Sequence, residues 1–91
     1  MLGRLRLTLH GTVQGVALRW GVQQRAQATG LVGTVQNQPN GTVVIVAEGE
    51  TAVLERLLAW IERPGHGWRI TRLDPAWSAA TGSFTDFRIK W

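Results

Sequence analysis

The stretch LRLTLHGTVQGVALR, residues 5–19, carries the pattern of a strand, a glycine-containing loop and the beginning of a helix. Its leucines alternate with polar residues, which is typical of a β-strand with one buried face. Gly11 and Gly15 interrupt this alternation, and apolar residues then recur at the helical spacing of four, at Leu18, Val22 and Ala26. We therefore predict a strand, a loop and a helix over residues 19–29. Gly30 ends this helix, because glycine readily adopts the left-handed conformation of a C-terminal cap.

The segment after this helix predicts two paired strands. Residues 31–37 form a short strand pattern, and a second strand pattern follows in the apolar run at residues 42–47. The Asn40-Gly41 pair between them predicts a hairpin, because Asn-Gly supplies the positive φ angles of a tight turn. The two strands are therefore expected to pair antiparallel.

Beyond residue 51 the apolar period changes back to that of a helix. The apolar stripe consists of Val53, Leu54, Leu57, Leu58 and Ile61. It predicts a second helix that ends at Pro64-Gly65. Glu48 and Glu50 precede this helix, and we expect their charges to complement its dipole.

Two more strand patterns complete an α+β order of elements. Residues 68–73 alternate irregularly, as in a strand with a bulge, and residues 87–91 predict a short last strand. The resulting order, βαββαβ plus a short C-terminal strand, predicts a ferredoxin-like α/β sandwich. Both helices should cover one face of a four- to five-stranded antiparallel sheet. With 91 residues, of which 44% are apolar, the chain is expected to form one domain over residues 1–91.

The composition excludes several classes of protein. The sequence has no cysteine, which excludes disulfides, thiolate zinc sites and cysteine nucleophiles. His10 and His66 have no clustered carboxylates or further histidines beside them, so no metal site is predicted. No apolar run approaches the roughly 20 residues of a membrane span, so no membrane partner is predicted and a cytoplasmic protein is expected. The formal net charge of +4 favours anionic partners.

The loop between the first strand and the first helix has the features of an anion-binding site. Backbone N–H groups at a helix N-terminus lack intrahelical partners, and glycines let the backbone approach a phosphate closely. Arg19 can hold two phosphate oxygens through its planar guanidinium. The loop lacks the lysine and Ser/Thr of a P-loop and the glycine spacing of a dinucleotide site. On these residues alone, phosphate binding and a simple turn stay open as alternatives.

Two motifs of the chain resemble those of acylphosphatases. The first, an apolar residue followed by x-G-x-V-Q-G-V-x-F-R, is matched over residues 9–19 except at Leu18, where the family usually has phenylalanine. The second, G-(aromatic)-V-x-N-x-x-x-G-x-V-x-x-x-x-x-G, is matched over residues 33–49 except at Thr34, which replaces the usual aromatic residue. We expect both departures to remove an aromatic side chain beside the site. The last strand also resembles the family's closing strand, so the resemblance covers nearly the whole chain.

The resemblance implies hydrolysis of the carboxyl–phosphate bond of small acyl phosphates to a carboxylate and inorganic phosphate, with no metal ion or cofactor. It implies that Arg19 and Asn37 are catalytic, with the Arg19 side chain on the phosphoryl group and Asn37 orienting the attacking water. The phosphoryl group would be held by the backbone amides of a loop made of Gln14, Gly15, Val16, Ala17, Leu18 and Arg19. The partners are then the acyl phosphate substrate and the phosphate product, and a monomer is expected.

Two alternatives stay open. A non-catalytic acylphosphatase-like domain would bind phosphate without turnover, because the substitutions at Leu18 and Thr34 alter the family pattern. A ferredoxin-like RNA-binding module is the other alternative, because five tryptophans and a positive charge suit base stacking. However, the strand at residues 42–47 has no aromatic residue, and the motif of that RNA-binding module is absent. Acyl phosphate hydrolysis is therefore the preferred prediction, and nucleic acid is not predicted as a partner.

Overall fold

A computed structural model of the chain describes residues 1–15 and 17–91. Its elements in chain order are β1 (Leu2–Thr12), α1 (Leu18–Ala28), β2 (Val32–Asn37), β3 (Val43–Glu50), α2 (Thr51–Glu62), β4 (Arg69–Ala79) and β5 (Phe87–Lys90). The predicted order of elements is confirmed, although α1 begins one residue earlier than expected. No helix in these two ranges is long and apolar enough to cross a membrane.

The five strands form one open sheet in the order β4-β1-β3-β2-β5. Antiparallel pairs join β4 to β1, β1 to β3 and β3 to β2, whereas β5 lies parallel to β2. The predicted ferredoxin-like sandwich is confirmed, but the expectation of a wholly antiparallel sheet is wrong at this last pairing. The reason is the route of the chain after β4. Residues 80–86 lead from one edge of the sheet to the other at the end where β2 begins, so β5 runs in the same direction as β2.

Both helices pack on one face of the sheet and enclose an apolar core. α1 contacts β2 and β5, while α2 contacts β1 and β3. The alternation in β1 turns Leu5, Leu7 and Leu9 towards this face, where all three are fully buried. The helices contribute the residues that their apolar spacing predicted, among them Leu18, Val22, Ala26, Leu54, Leu57 and Ile61. In the part of the chain that the structure describes, no helix covers the opposite face of the sheet, which is called the open face below.

The edge strand β4 is longer than predicted, and its pairing with β1 is irregular. It spans Arg69–Ala79 and includes Pro75, which is tolerated because an edge strand leaves one side without ladder hydrogen bonds. The register shifts between His10 and Gly11, which confirms the predicted bulge. At Gly11 φ is +124°, and a Cβ atom there would collide with the Arg69 carbonyl oxygen. This glycine of the first motif therefore serves strand pairing.

Glu48 does not complement the dipole of α2, contrary to the expectation from its position. It lies near the end of β3 on the open face and is 3% exposed. Its carboxylate accepts hydrogen bonds from the backbone N–H groups of Thr81 (2.9 Å) and Gly82 (3.0 Å), from the Thr81 hydroxyl (2.8 Å) and from the Arg4 guanidinium (3.0 Å). Burial raises the pKa of Glu48, but these hydrogen bonds outweigh it and lower the pKa to about 2. Glu48 therefore anchors the segment 80–86 that leads to β5.

We expect Glu48→Gln to lower the free energy of unfolding by about 2–3 kcal/mol at pH 7. An amide cannot accept all of these hydrogen bonds, and its NH₂ group would face other donors. The folded-state pKa lies below the usual value of 4.5, so the carboxylate's contribution is complete well above pH 4.5 and is lost as the pH falls towards 2.

Urea unfolding at pH 7 and pH 3 measures this effect of Glu48. The difference in stability between wild type and Glu48→Gln should shrink at pH 3 to less than about half of its value at pH 7. Glu55→Gln, at an exposed position of α2, is the matched control and should change little at either pH. Equal losses in the two variants, or a difference that does not shrink with pH, would contradict the anchoring role.

Candidate active site

The loop between β1 and α1 has an unusual backbone conformation. Gly15 has a φ of +72° and Ala17 a φ of +60°, both in the left-handed region. Val16, which the family resemblance assigns to the predicted phosphate-binding loop, lies outside the described residues. The left-handed conformation costs an alanine about 1–2 kcal/mol, so the surrounding structure must hold the Ala17 backbone there. Backbone strain of this kind is concentrated at functional sites.

The N-terminus of α1 is open to an anion. Its N-cap residue, Ala17, makes no side-chain capping hydrogen bond, and the first turn contains no acidic residue. At Gly15 a Cβ atom would have no neighbour within 4 Å, so the space beside this backbone is open. N–H groups at a helix N-terminus that no side chain caps are donors for a phosphate.

The Gln14 side chain joins this loop to the β2–β3 hairpin. Its amide nitrogen donates to the carbonyl oxygens of Gln38 at 2.8 Å and Thr42 at 2.9 Å. Gln38 directly follows Asn37, so one side chain positions the loop relative to the end of β2. The sequence predicted only a backbone role for Gln14. The presence of Gln14 in the first motif was the one indication that its side chain also has a role.

Asn37 is the last residue of β2 and lies on the side of the sheet that the helices cover. It pairs with Val43, and strand alternation puts its side chain on the same face as that of the buried Val35. Its Oδ1 atom is buried and has no hydrogen-bond partner among residues 1–15 and 17–91. An unsatisfied buried polar atom costs about 1–3 kcal/mol, and a catalytic role is one of the usual reasons for it. Asn37 Oδ1 can therefore accept a hydrogen bond from a water molecule or a ligand.

Arg19 is the second residue of α1 and is half-buried. Its guanidinium carbon lies 4.4 Å from the centroid of the Trp91 ring, which is a cation–π contact. In the described part of the chain, Arg19 forms no salt bridge with a carboxylate. Stacking uses the flat face of a guanidinium, whereas its N–H donors lie in the plane. The contact thus restrains Arg19 and leaves donors for an anion.

A cavity of about 120 Å³ adjoins the loop, and its walls include Gly15, Ala17 and Arg19. Gln14 and Asn37 do not line it; the hydrogen bonds of Gln14 to the hairpin connect them to the loop. A larger cleft of about 430 Å³ between the end of α2 and β4 contains none of the predicted site residues. We assign the candidate site to the smaller cavity, because it adjoins the helix N-terminus and the arginine that can hold an anion.

The two departures from the family motifs occupy different places. Leu18 is 1% exposed and packs in the core, and it also borders the small cavity. Thr34 pairs with Val46 and lies on the open face, whereas Asn37 lies on the other face of the sheet. The expectation that Thr34 removes an aromatic side chain beside the site is therefore wrong, because alternate residues of a strand point to opposite faces.

The histidines form contacts away from the small cavity. His10 pairs with Asp74 at 3.1 Å, and the His66 ring lies 4.5 Å from that of Trp60 and 4.2 Å from that of Trp68. Across the described residues, no group of three or more His, Asp and Glu side chains could hold a metal ion. The groups beside the small cavity that can contact an anion are backbone amides of the loop and the Arg19 guanidinium, and the Asn37 carboxamide lies at the end of β2.

Donors of this kind, at the start of the first helix of a ferredoxin-like sandwich, are typical of a class of protein that binds phosphoryl groups. The sequence model of the acylphosphatase family matches residues 5–89. The chain is 41% identical over 86 residues to an acylphosphatase of Methylococcus capsulatus, with 94% of each chain covered. It is 37% identical over 79 residues to an acylphosphatase of Thermococcus kodakarensis, with 87% of each chain covered.

The similarity extends to the three-dimensional structure. The crystal structure of acylphosphatase from Bacillus subtilis matches this chain with a TM-score of 0.91 and 30% sequence identity, and the match covers 100% of both chains. The chain belongs to the acylphosphatase family, and it is an enzyme of that family.

Proposed function

We propose that this acylphosphatase hydrolyses the carboxyl–phosphate bond of small acyl phosphates to a carboxylate and inorganic phosphate, without a metal ion. The proposal is supported by the presence of two features in the same fold. An uncapped helix N-terminus with Arg19 in its first turn can hold the phosphoryl group, and the buried Oδ1 atom of Asn37 has no partner among the described residues.

The phosphoryl group is held by the loop amides and by Arg19. In phosphoryl transfer, negative charge is spread over the three equatorial oxygens of a loose transition state. Fixed backbone donors and one permanent cation stabilise that charge without reorganising during the reaction. The strained backbone at Ala17 and the Trp91 contact of Arg19 support this role, because both hold donors in place before substrate binds.

Asn37 orients the attacking water. Its Oδ1 atom accepts a hydrogen bond from the water, whose oxygen attacks phosphorus as the bond between phosphorus and the carboxyl oxygen breaks. The leaving group is a carboxylate, which departs without protonation because the pKa of a carboxylic acid is about 4. The proton of the water passes to a phosphate oxygen. This assignment agrees with a site that contains a carboxamide in place of a general base.

An RNA-binding function is disfavoured by the open face of the sheet. The aromatic residues of the described strands are Phe87 and Trp77. Strand alternation places both side chains on the face that the helices cover and not on the open face. Bases bound on a sheet need aromatic side chains on which to stack.

A non-catalytic phosphate-binding domain would share the same loop, and turnover distinguishes it from an enzyme.

The test is hydrolysis of benzoyl phosphate by the purified, folded protein in buffer that contains a chelator. We expect turnover far above the buffer rate and no change in rate when the chelator is omitted. Phosphate binding without turnover would identify a non-catalytic domain. Salt-sensitive binding of single-stranded RNA without turnover would identify the RNA-binding alternative.

We also propose that the enzyme acts as a cytoplasmic monomer. The open face carries the charged residues Arg6, Arg72 and Arg88, while Val44 and Val46 between them are only 8% and 7% exposed. A face of this kind offers no large apolar patch for a second copy. The absence of cysteine agrees with a compartment in which disulfides do not form.

A further inference from the structure

Two exposed tryptophans stand beside the proposed phosphate loop. Trp20 is 61% exposed and Trp91 is 87% exposed, and both line the cavity of about 120 Å³ that adjoins the loop. An indole is a large apolar group, and exposed apolar groups clustered at a cavity indicate a binding surface. Trp77 is also exposed, at 45%, but it lies on β4 and does not line this cavity.

The cavity has one polar and one apolar side. Its polar lining residue is Arg19, which stands beside Gly15 and Ala17 of the loop. Its apolar side consists of the buried side chains of Val13 and Leu18, the half-buried Ile89, and the two exposed indoles. Arg19 covers one face of the Trp91 ring at 4.4 Å, so this indole is restrained without being buried.

We propose that Trp20 and Trp91 bind the acyl group of the substrate and give the enzyme a preference for flat aromatic acyl phosphates. The inference rests on the proposed function, because a phosphoryl group held by the loop brings the attached acyl group to the adjoining wall of the same cavity. The cavity of about 120 Å³ is smaller than the closed cavity of about 150 Å³ that holds benzene, but it opens to solvent, so a single ring can lie partly inside it and partly against the exposed indoles. Aromatic rings stack on an indole, whereas an acetyl group is too small to cover it.

The test compares benzoyl phosphate with acetyl phosphate, which share the reacting group and differ in the acyl substituent. The measured quantity is the ratio of their kcat/KM values in wild type, Trp20→Ala, Trp91→Ala and Trp91→Phe. We expect the preference for benzoyl phosphate to fall by about three- to tenfold in each alanine variant and to be largely kept in Trp91→Phe. Trp77→Ala is the matched control and should leave the ratio unchanged. Circular dichroism establishes that each variant is folded.

The outcomes separate this inference from the proposed function. If Trp20→Ala and Trp91→Ala lower the two kcat/KM values in parallel, the inference is overturned, because Trp91 then only positions Arg19. If Trp77→Ala changes the ratio of the kcat/KM values as much as Trp20→Ala and Trp91→Ala do, the inference is also overturned. If wild-type protein hydrolyses neither substrate, the proposed function fails and this inference fails with it. A selective loss for benzoyl phosphate in both alanine variants supports it.

Discussion

Replacing Arg19 with alanine is expected to lower kcat/KM for benzoyl phosphate by roughly 1,000-fold or more. The change removes a group with two parallel N–H donors, which in the proposed mechanism is also the cation that faces the developing negative charge. Binding of inorganic phosphate should be lost as well, because the product uses the same charged group. Steady-state kinetics and calorimetric titration with phosphate measure the two effects.

Two further variants separate the charge of Arg19 from its shape. Arg19→Lys keeps the positive charge but cannot form two parallel hydrogen bonds, so its activity should lie between those of wild type and Arg19→Ala. Arg25→Ala is the matched control, since Arg25 is an exposed arginine of the same helix whose guanidinium lies 5.5 Å from the Trp60 ring. It changes the net charge equally and should keep wild-type activity. Near-normal hydrolysis by Arg19→Ala would contradict the assignment.

Asn37→Ala is expected to lower kcat by about 100-fold or more, equivalent to about 3 kcal/mol, with a smaller change in KM. In the proposed mechanism the substrate is held mainly by the loop and Arg19, whereas Asn37 contacts the water that attacks. Stability should be unchanged or higher, because the substitution removes a buried oxygen that has no partner among the described residues. Steady-state kinetics tests the expected loss of kcat, and urea unfolding of the same preparation tests the expected stability.

The controls for Asn37 use its neighbour and an isosteric change. Gln36 lies on the opposite face of β2, so Gln36→Ala should leave kcat unchanged. Asn37→Asp keeps the shape but places a carboxylate near the phosphoryl group, and we expect it to lose activity and to bind phosphate more weakly. A large loss of stability with normal kcat in Asn37→Ala would instead make Asn37 a structural residue.

Most elements of the fold could be predicted because their signals are local. The alternating leucines of β1 and the four-residue spacing in α1 and α2 can be recognised within a few consecutive residues. Each pattern indicates which face of its strand or helix is buried. The Asn40-Gly41 turn is equally local, and the β2–β3 hairpin is confirmed. The direction of β5 was not predictable in this way, because it depends on how residues 80–86 cross from one edge of the sheet to the other.

The candidate site could likewise be predicted only where its signals are local in the sequence. The motifs located the loop and Asn37, because the order and spacing of a few residue types can be read directly. They did not show that the Gln14 side chain connects the loop to Gln38 and Thr42, nor that Thr34 faces away from Asn37. Those facts depend on strand register and on contacts between residues far apart in sequence.

The sequence by itself determined the order of strands and helices, the buried face of each helix and the family motifs, because each depends on residues close together in the chain. Tertiary structure alone decided the parallel position of β5, the anchoring of the segment 80–86 by Glu48 and the stacking of Arg19 on Trp91. Each of these joins segments that are distant in sequence. At Glu48, hydrogen bonds that exist only in the folded state outweigh the effect of burial and lower the pKa, and at Asn37 burial leaves Oδ1 without a partner among the described residues.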